Sequence, residues 1–235
     1  MNSKHLLILH NGTTADGANH IENQFKQIGL TVTTMWAANN QFPADISLFN
    51  GCFLTGSPHG AYEDIDWIHQ EHELIQTLAN NHMPMLGVCF GSQILASALC
   101  GRDQLFRRDH CEVGFLDLPL TAAGQQDPLL SKIKDEVNML VWHNDEVRAD
   151  HADMVILASS EQCPNQIWRF RDRPIWGIQG HPELARTNAI HLFKTEQTVF
   201  EQDGADVDQL IADAHDAPEA KTLLHRFAEI LLEEG

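Results

Sequence analysis

The sequence predicts an α/β fold: a mixed, mainly parallel central sheet with helices on both faces and additional antiparallel strands. Through the first hundred residues, short apolar runs alternate with helical patterns. Alternation of this kind buries a parallel sheet between helices. Between about residues 111 and 170 the runs are strand-like with little helix between them, which calls for antiparallel strands extending or flanking that sheet. The length, 235 residues at 43% hydrophobic and 20% charged, is enough for one large domain with a buried core.

The elements follow in order. Leu6-Leu7-Ile8-Leu9 reads as a buried strand, stopped by the turn residues Asn11-Gly12. From Asn19 to Ile28 the pattern is amphipathic, with Ile21, Phe25 and Ile28 on one face and Gly29 ending it. The β-branched run Thr31–Thr34 is a second strand and Cys52-Phe53-Leu54 a third, breaking at Gly56-Ser57-Pro58. A polar helix over about 66–81 precedes a fourth strand, Met85–Val88, which runs straight into a small-residue helix from Ser92 to Leu99. Strand-like runs then cover 111–120, 139–142, 154–158 and 166–170, and Ile175–Ile178 is a final strand. One helix is expected over about 187–200. Residues 1–200 form the expected main domain, and 201–235 an acidic C-terminal helical extension packed on it. That extension carries ten acidic side chains against Lys221 and Arg226, yet Leu223, Leu224, Phe227, Ile230 and Leu231 make one apolar helical stripe.

Charge excludes several classes of function. With 15 Lys and Arg against 33 Asp and Glu, the formal charge is −18, a surface that repels phosphate backbones and anionic membrane. No nucleic-acid or membrane partner is expected. No apolar run approaches the roughly 18 residues of a spanning helix. The five cysteines, Cys52, Cys89, Cys100, Cys111 and Cys163, lack framework spacing and point to a reduced, cytoplasmic setting.

The strongest chemical signal is Gly87-Val88-Cys89-Phe90-Gly91-Ser92-Gln93, between a predicted strand and a predicted helix. A nucleophile elbow needs this context: the side chain projects from a sharp turn, and flanking glycines remove the Cβ atoms that would block it. Cys89 would also sit at a helix N-terminus, where the dipole favours thiolate. The plainer alternative is a small buried hydrophobe. That suits Cys52 and Cys100 but leaves the glycines around Cys89 without purpose. Of the fourteen histidines, His181 stands out, because Gly180-His181-Pro182-Glu183 follows a strand and Glu183 can orient the imidazole. Nucleophile, base and orienter are then all present, the triad logic in cysteine form.

These residues resemble the class I glutamine amidotransferase family, whose signature is G-x-C-x-G-x-Q followed far downstream by H-P-E. The resemblance covers about residues 5–200 and takes in Thr55-Gly56-Ser57-Pro58, Glu112-Val113-Gly114 and His143-Asn144-Asp145-Glu146-Val147. It implies a flavodoxin-like sheet and a Cys89, His181, Glu183 triad. It also implies an oxyanion hole from the backbone N–H groups of Phe90 and Ser57, and substrate contacts from Gly56, Gln93 and His143. The implied reaction is hydrolysis of a γ-glutamyl amide through a thioester on Cys89, with neither cofactor nor metal. Two departures stand out: Ser57 occupies a position where many members have glycine, and Gly180 one where Phe is frequent. Both are similar to stand-alone γ-glutamyl peptidases, and no synthase domain follows in this sequence.

Three readings of function remain: a free-standing γ-glutamyl hydrolase, a glutaminase subunit serving a synthase partner in trans, and a regulatory scaffold. The complete triad counts against the last. His69, His72 and Glu73 have helical metal-ligand spacing but no second ligand cluster, so a solvated helix face is expected instead. No phosphate-cradling glycine motif is present. The five tryptophans are scattered as core and pocket-wall residues would be, and Trp142, beside His143, either touches a site or simply packs. The expected pocket is a sheet-edge cleft closed by loops 55–62 and 143–151.

Overall fold

A computed structural model describes residues 4–233. Its main sheet has seven strands in the order β2-β1-β3-β4-β9-β8-β7. These are β1 (His5–His10), β2 (Thr31–Trp36), β3 (Gly51–Leu54), β4 (Met85–Val88), β7 (Met154–Ala158), β8 (Ile167–Phe170) and β9 (Ile175–Ile178). The first five in spatial order run parallel; β8 and β7 continue the sheet antiparallel. A long antiparallel pair, β5 (Leu105–Pro119) and β6 (Glu136–Val147), stands beside it, with a register shift between Arg107 and Glu112. A single bridge, Leu120 to Ala158, links the end of that pair to β7.

Both faces of the parallel strands are covered, and their sequences show why. In β1, Leu6 and Ile8 face one core while Leu7 and Leu9 face the other, all fully buried. The first core receives α1 (Asn19–Ile28) and α7 (Pro218–Glu233) through Phe25, Leu223, Leu224 and Phe227. Phe227 lies edge-on to both Phe25 and Trp176. The second core receives α2 (Asp66–Asn80) and α3 (Phe90–Cys100) through Trp67, Ile68, Ile75, Phe90 and Ile94. A third cluster joins the β5–β6 pair to α4 (Arg186–Thr195), α5 (Gln197–Gln202) and α6 (Val207–Asp213) around Phe193, Phe200 and Val207.

Several elements differ from the sequence reading. The helix expected over 187–200 is two: Glu196 leaves helical geometry at φ −103°, ψ 18°, and its carbonyl restarts the next turn by accepting from Val199 and Phe200. The α6 helix has no counterpart in the sequence pattern; it is a short segment capped by Asp206, which accepts from the Gln209 N–H. Residues 143–147 belong to strand β6 and not to a loop, because they pair with β5 as far as Val147. The α2 helix is not uniformly polar. Glu71 and His72 are buried on its inner stripe, and burial pushes His72 down to about 4.

Candidate active site

Cys89 sits where β4 becomes α3, and its backbone is held from both sides. Its N–H extends the β4–β9 ladder to the Ile178 carbonyl at 2.8 Å, and its carbonyl accepts the first helical bond from Gln93 at 3.1 Å. Between these bonds it takes φ 51° and ψ −112°. Left-handed conformations of this kind cost a non-glycine residue about 1–3 kcal/mol and persist where the surroundings impose them. The glycines explain how the turn closes. A Cβ on Gly87 would lie 2.3 Å from the Gly91 carbonyl oxygen, and one on Gly91 would lie 2.2 Å from that of Leu54. Trp168 Nε1 donates to Ser92 Oγ at 2.9 Å, fastening the first turn of α3 to β8.

His181 reaches the same place from β9, the strand beside β4. Its N–H donates to the Leu140 carbonyl at 2.8 Å, which ties the loop to β6. Gly180 permits that approach, since a Cβ there would lie 2.6 Å from Met139 Sδ. Nδ1 of His181 is 2.8 Å from Glu183 Oε1, a buried pair. Nε2 is buried and has no hydrogen-bond partner among the described residues. Burial alone would push the imidazole down, but the charges of Glu183 and Cys89 prevail and hold it well above its ordinary range. With Nδ1 donating to the carboxylate, Nε2 is the atom free to exchange a proton with Cys89 or with a substrate nitrogen.

The remaining expected residues gather around this pair. A methyl group at Gly56 would touch both His181 Cε1, at 3.5 Å, and Cys89 Cβ, at 3.6 Å. Ser57 follows directly and is not among the residues with positive φ, so a side chain costs no backbone strain there. Phe90 is the first residue of α3, where a backbone N–H has no partner within the helix. Gln93 Nε2 donates to the Asp145 carbonyl at 3.1 Å and to Gln179 Oε1 at 3.4 Å. His143 has both ring nitrogens engaged, Nδ1 with the Asp145 carbonyl and Nε2 with Glu112 Oε2, each at 2.9 Å. Glu112 also accepts from Ser160 and Gln166. Burial would raise its carboxyl, but the bonds from His143 and Ser160 hold it below its ordinary value. The two sequence marks around residues 112 and 143 are thus two halves of one buried network. Trp142 presents its carbonyl to Cys89 Sγ at 3.8 Å and packs its ring on Phe200.

Glu112, His143 and Cys163 are close enough to be considered as metal ligands. The hydrogen bonds to Glu112 already satisfy its oxygens, however, and burial raises the Cys163 thiol far above its ordinary value. A groove of roughly 320 Å³ lies along the β5–β6 pair and the 203–205 turn, lined by Cys111, Glu112, Ser160 and Asp203 and not by Cys89. Asn11, Glu71 and Gln179 also belong to the surroundings of the site. None has a motif; their placement depends on which strand ends adjoin.

Known proteins resemble this chain in sequence and in fold. The family model described as "Glutamine amidotransferase class-I" matches residues 16–197. The chain belongs to the class I glutamine amidotransferases, a family of enzymes. Among curated relatives, this amidotransferase is 31% identical over 168 residues to a glutamine-hydrolyzing GMP synthase subunit of Halobacterium salinarum, covering 72% of this chain and 84% of that one. It is 31% identical over 152 residues to gamma-glutamyl peptidase 3 of Arabidopsis thaliana, covering 62% and 59%. It is 29% identical to a GMP synthase of Porphyromonas gingivalis, and it spans only 27% of that protein's length. The fold is shared with a glutamine amidotransferase from Thermotoga maritima at a TM-score of 0.85 over 100% of both chains and 19% identity. Among the described residues, no helix is long and apolar enough to cross a membrane.

Proposed function

We propose that the amidotransferase hydrolyses a γ-glutamyl amide through a γ-glutamyl thioester on Cys89, acting as a free-standing enzyme. The observation that carries this reading is the meeting of the strained Cys89 turn with the buried His181–Glu183 pair across Gly56. The Cys89 sulfur attacks the side-chain carbonyl of the substrate. The N–H groups of Phe90 and Ser57 receive the developing oxyanion, and His181 gives its Nε2 proton to the departing nitrogen as the C–N bond breaks. His181 then takes a proton from water, which attacks the thioester and frees the γ-carboxylate and the thiol. Gly56 and Gln93 border the glutamyl moiety. With both ring nitrogens occupied, His143 shapes that pocket by holding the 145 carbonyl that Gln93 also binds.

The sequence departures at Ser57 and Gly180 and the likeness to gamma-glutamyl peptidase 3 support stand-alone action. The likeness to a GMP synthase's glutamine-hydrolyzing subunit, over most of that chain, favours a second reading: a glutaminase delivering ammonia to a synthase on another chain. The unpaired cysteines support a reducing, cytoplasmic setting. Assay of the purified chain on glutamine and a panel of γ-glutamyl dipeptides and amines separates the two readings. Turnover of a conjugate in preference to glutamine is expected. Negligible hydrolysis of every substrate, restored by adding a synthase, would favour the second reading. An electrophilic glutamine analogue should label one site, Cys89, and labelling that survives Cys89→Ala would refute the nucleophile assignment.

A further inference from the structure

Helix α2 packs on its sheet through a stripe of Trp67, Ile68, Ile75 and Leu78, and at the centre of that stripe stands Glu71, at 0% exposure. A carboxyl in such a place is costly unless it is hydrogen-bonded, and a leucine would meet the packing need at less cost. Glu71 Oε1 accepts from Asn11 Nδ2 at 3.1 Å. Asn11 lies just past β1 and grips the end of β3 twice: its backbone N–H donates to Thr55 Oγ1 at 2.9 Å, and Nδ2 to the Thr55 carbonyl at 3.3 Å. Thr55 Oγ1 in turn donates to the Gly56 carbonyl at 3.1 Å. The next residue is Ser57, whose N–H is one of the two oxyanion donors of the proposed reaction.

We propose that Glu71 is a positioning residue for the oxyanion donor at Ser57: by holding the Asn11 amide it fixes the 55–57 segment against Cys89 and His181. This inference rests on the hydrolase reading above. A further feature agrees with it. Asn11 Oδ1 and Glu71 Oε2 are both buried without hydrogen-bond partners among the described residues. Burial pushes Glu71 up to about 8. This favours the neutral acid at neutral pH, and such an acid carries one O–H donor besides its acceptor oxygen. An amide has the same pair of functions; a leucine has neither. Asn11 without Glu71 would keep its hold on Thr55 but lose the bond that sets its own plane.

The test compares Glu71→Leu, Glu71→Gln and Asn11→Ala with wild type in two measurements, steady-state kinetics and backbone hydrogen exchange. Glu71→Leu should lower kcat about 10- to 100-fold with KM nearly unchanged, since a misplacement on the order of 1 Å can cost about 100-fold. Glu71→Gln should retain most of the activity. The double variant Glu71→Leu/Asn11→Ala should be no worse than the poorer single one, because both break one chain of contacts. Exchange should quicken in peptides covering 54–60 and stay unchanged over 85–95. Wild-type kcat in Glu71→Leu, a Glu71→Gln variant as impaired as Glu71→Leu, or additive losses would each overturn the inference. If wild type itself turns over no γ-glutamyl substrate, the hydrolase reading has failed, and exchange alone decides. Unchanged exchange over 54–60 in Glu71→Leu then overturns the positioning role. Should Glu71→Leu not fold, Asn11→Ala carries the same measurements from the other side of the bond.

Discussion

Substituting Gly91 by alanine is the sharpest test of the turn that presents Cys89. The new methyl group would lie 2.2 Å from the carbonyl oxygen of Leu54 and 2.8 Å from its carbonyl carbon, whereas ordinary contact begins near 3.4 Å. Both obstacles are backbone in a central strand, so neither can rotate away. Relief requires α3 and β3 to part by about 1.2 Å, the shortfall on the oxygen. Leu54 leads directly into Thr55, Gly56 and Ser57, and Gly91 follows Cys89 by two residues. The parting therefore opens the gap between the Cys89 sulfur and the proposed oxyanion donor at Ser57 without altering either side chain. Overpacking of this kind costs about 1–3 kcal/mol, which in a chain of this size is a fall in Tm of about 2–12 °C. Turnover should fall further, by about 100-fold, because reacting atoms tolerate little misplacement. Calorimetry gives the first number and steady-state hydrolysis the second, with iodoacetamide labelling of Cys89 confirming that the thiol remains accessible. Wild-type turnover at an unchanged Tm would show that the close approach of Gly91 to β3 is not what shapes the site.

Three further outcomes are expected. Burial opposes protonation of His181 and Glu183 and Cys89 favour it, with a net rise, so its contribution to stability is present in full below about pH 6.5 and is lost as pH climbs through the raised pKa. Urea unfolding should therefore show a wild-type advantage over Glu183→Gln that shrinks with rising pH; an advantage that grows would contradict the assignment. Glu71 titrates the other way: its unfolded form loses the proton near pH 4.5 and its folded form near pH 8. Wild-type stability relative to Glu71→Gln should fall between those pH values, with Cys52, a thiol pushed up by burial and then by Glu71, as a titratable neighbour. A flat difference would mean that the carboxyl is already ionised in the fold. Phe227→Ala should cost about 3–5 kcal/mol, because the ring is fully buried against Phe25 and Trp176. Folded molecules of that variant should turn over normally, and a loss of kcat without a loss of Tm would place α7 in the chemistry.

What could be read from the sequence was local. The run Met85–Val88 and the glycines around Cys89 declare a strand, a sharp turn and a helix within a few residues, and the structure has them there. The stripe ending in Leu231 likewise foretells α7. What could not be read depends on partners distant in the chain. Nothing near Glu71 distinguishes it from the exposed Glu73 two positions on; its burial follows from α2 lying over the ends of β1 and β3. His72 is hidden for the same reason. The break at Glu196 has neither glycine nor proline to announce it. The pairing of Glu112 with His143 follows from strand register, which a one-residue slip would reverse. Both stretches were visible as motifs, but their joining across β5 and β6 was not.

The placement of β9 between β4 and β8 has a consequence for how the protein comes into being. Sulfur and imidazole stand on adjacent strands, yet Met85 pairs with Ile175, Leu86 with Trp176 and Val88 with Ile178. The intervening chain includes the whole β5–β6 pair and both antiparallel strands. Closing so long a loop carries its entropic cost before any contact rewards it, and contacts of this range form slowly. A growing chain that has emerged only through β8 carries Cys89 on its elbow but not yet His181, the proposed base. Cys89 and His181 come together only once β9 has slotted between its neighbours, so a chain that has not yet paired β9 with β4 lacks the proposed reactive pair.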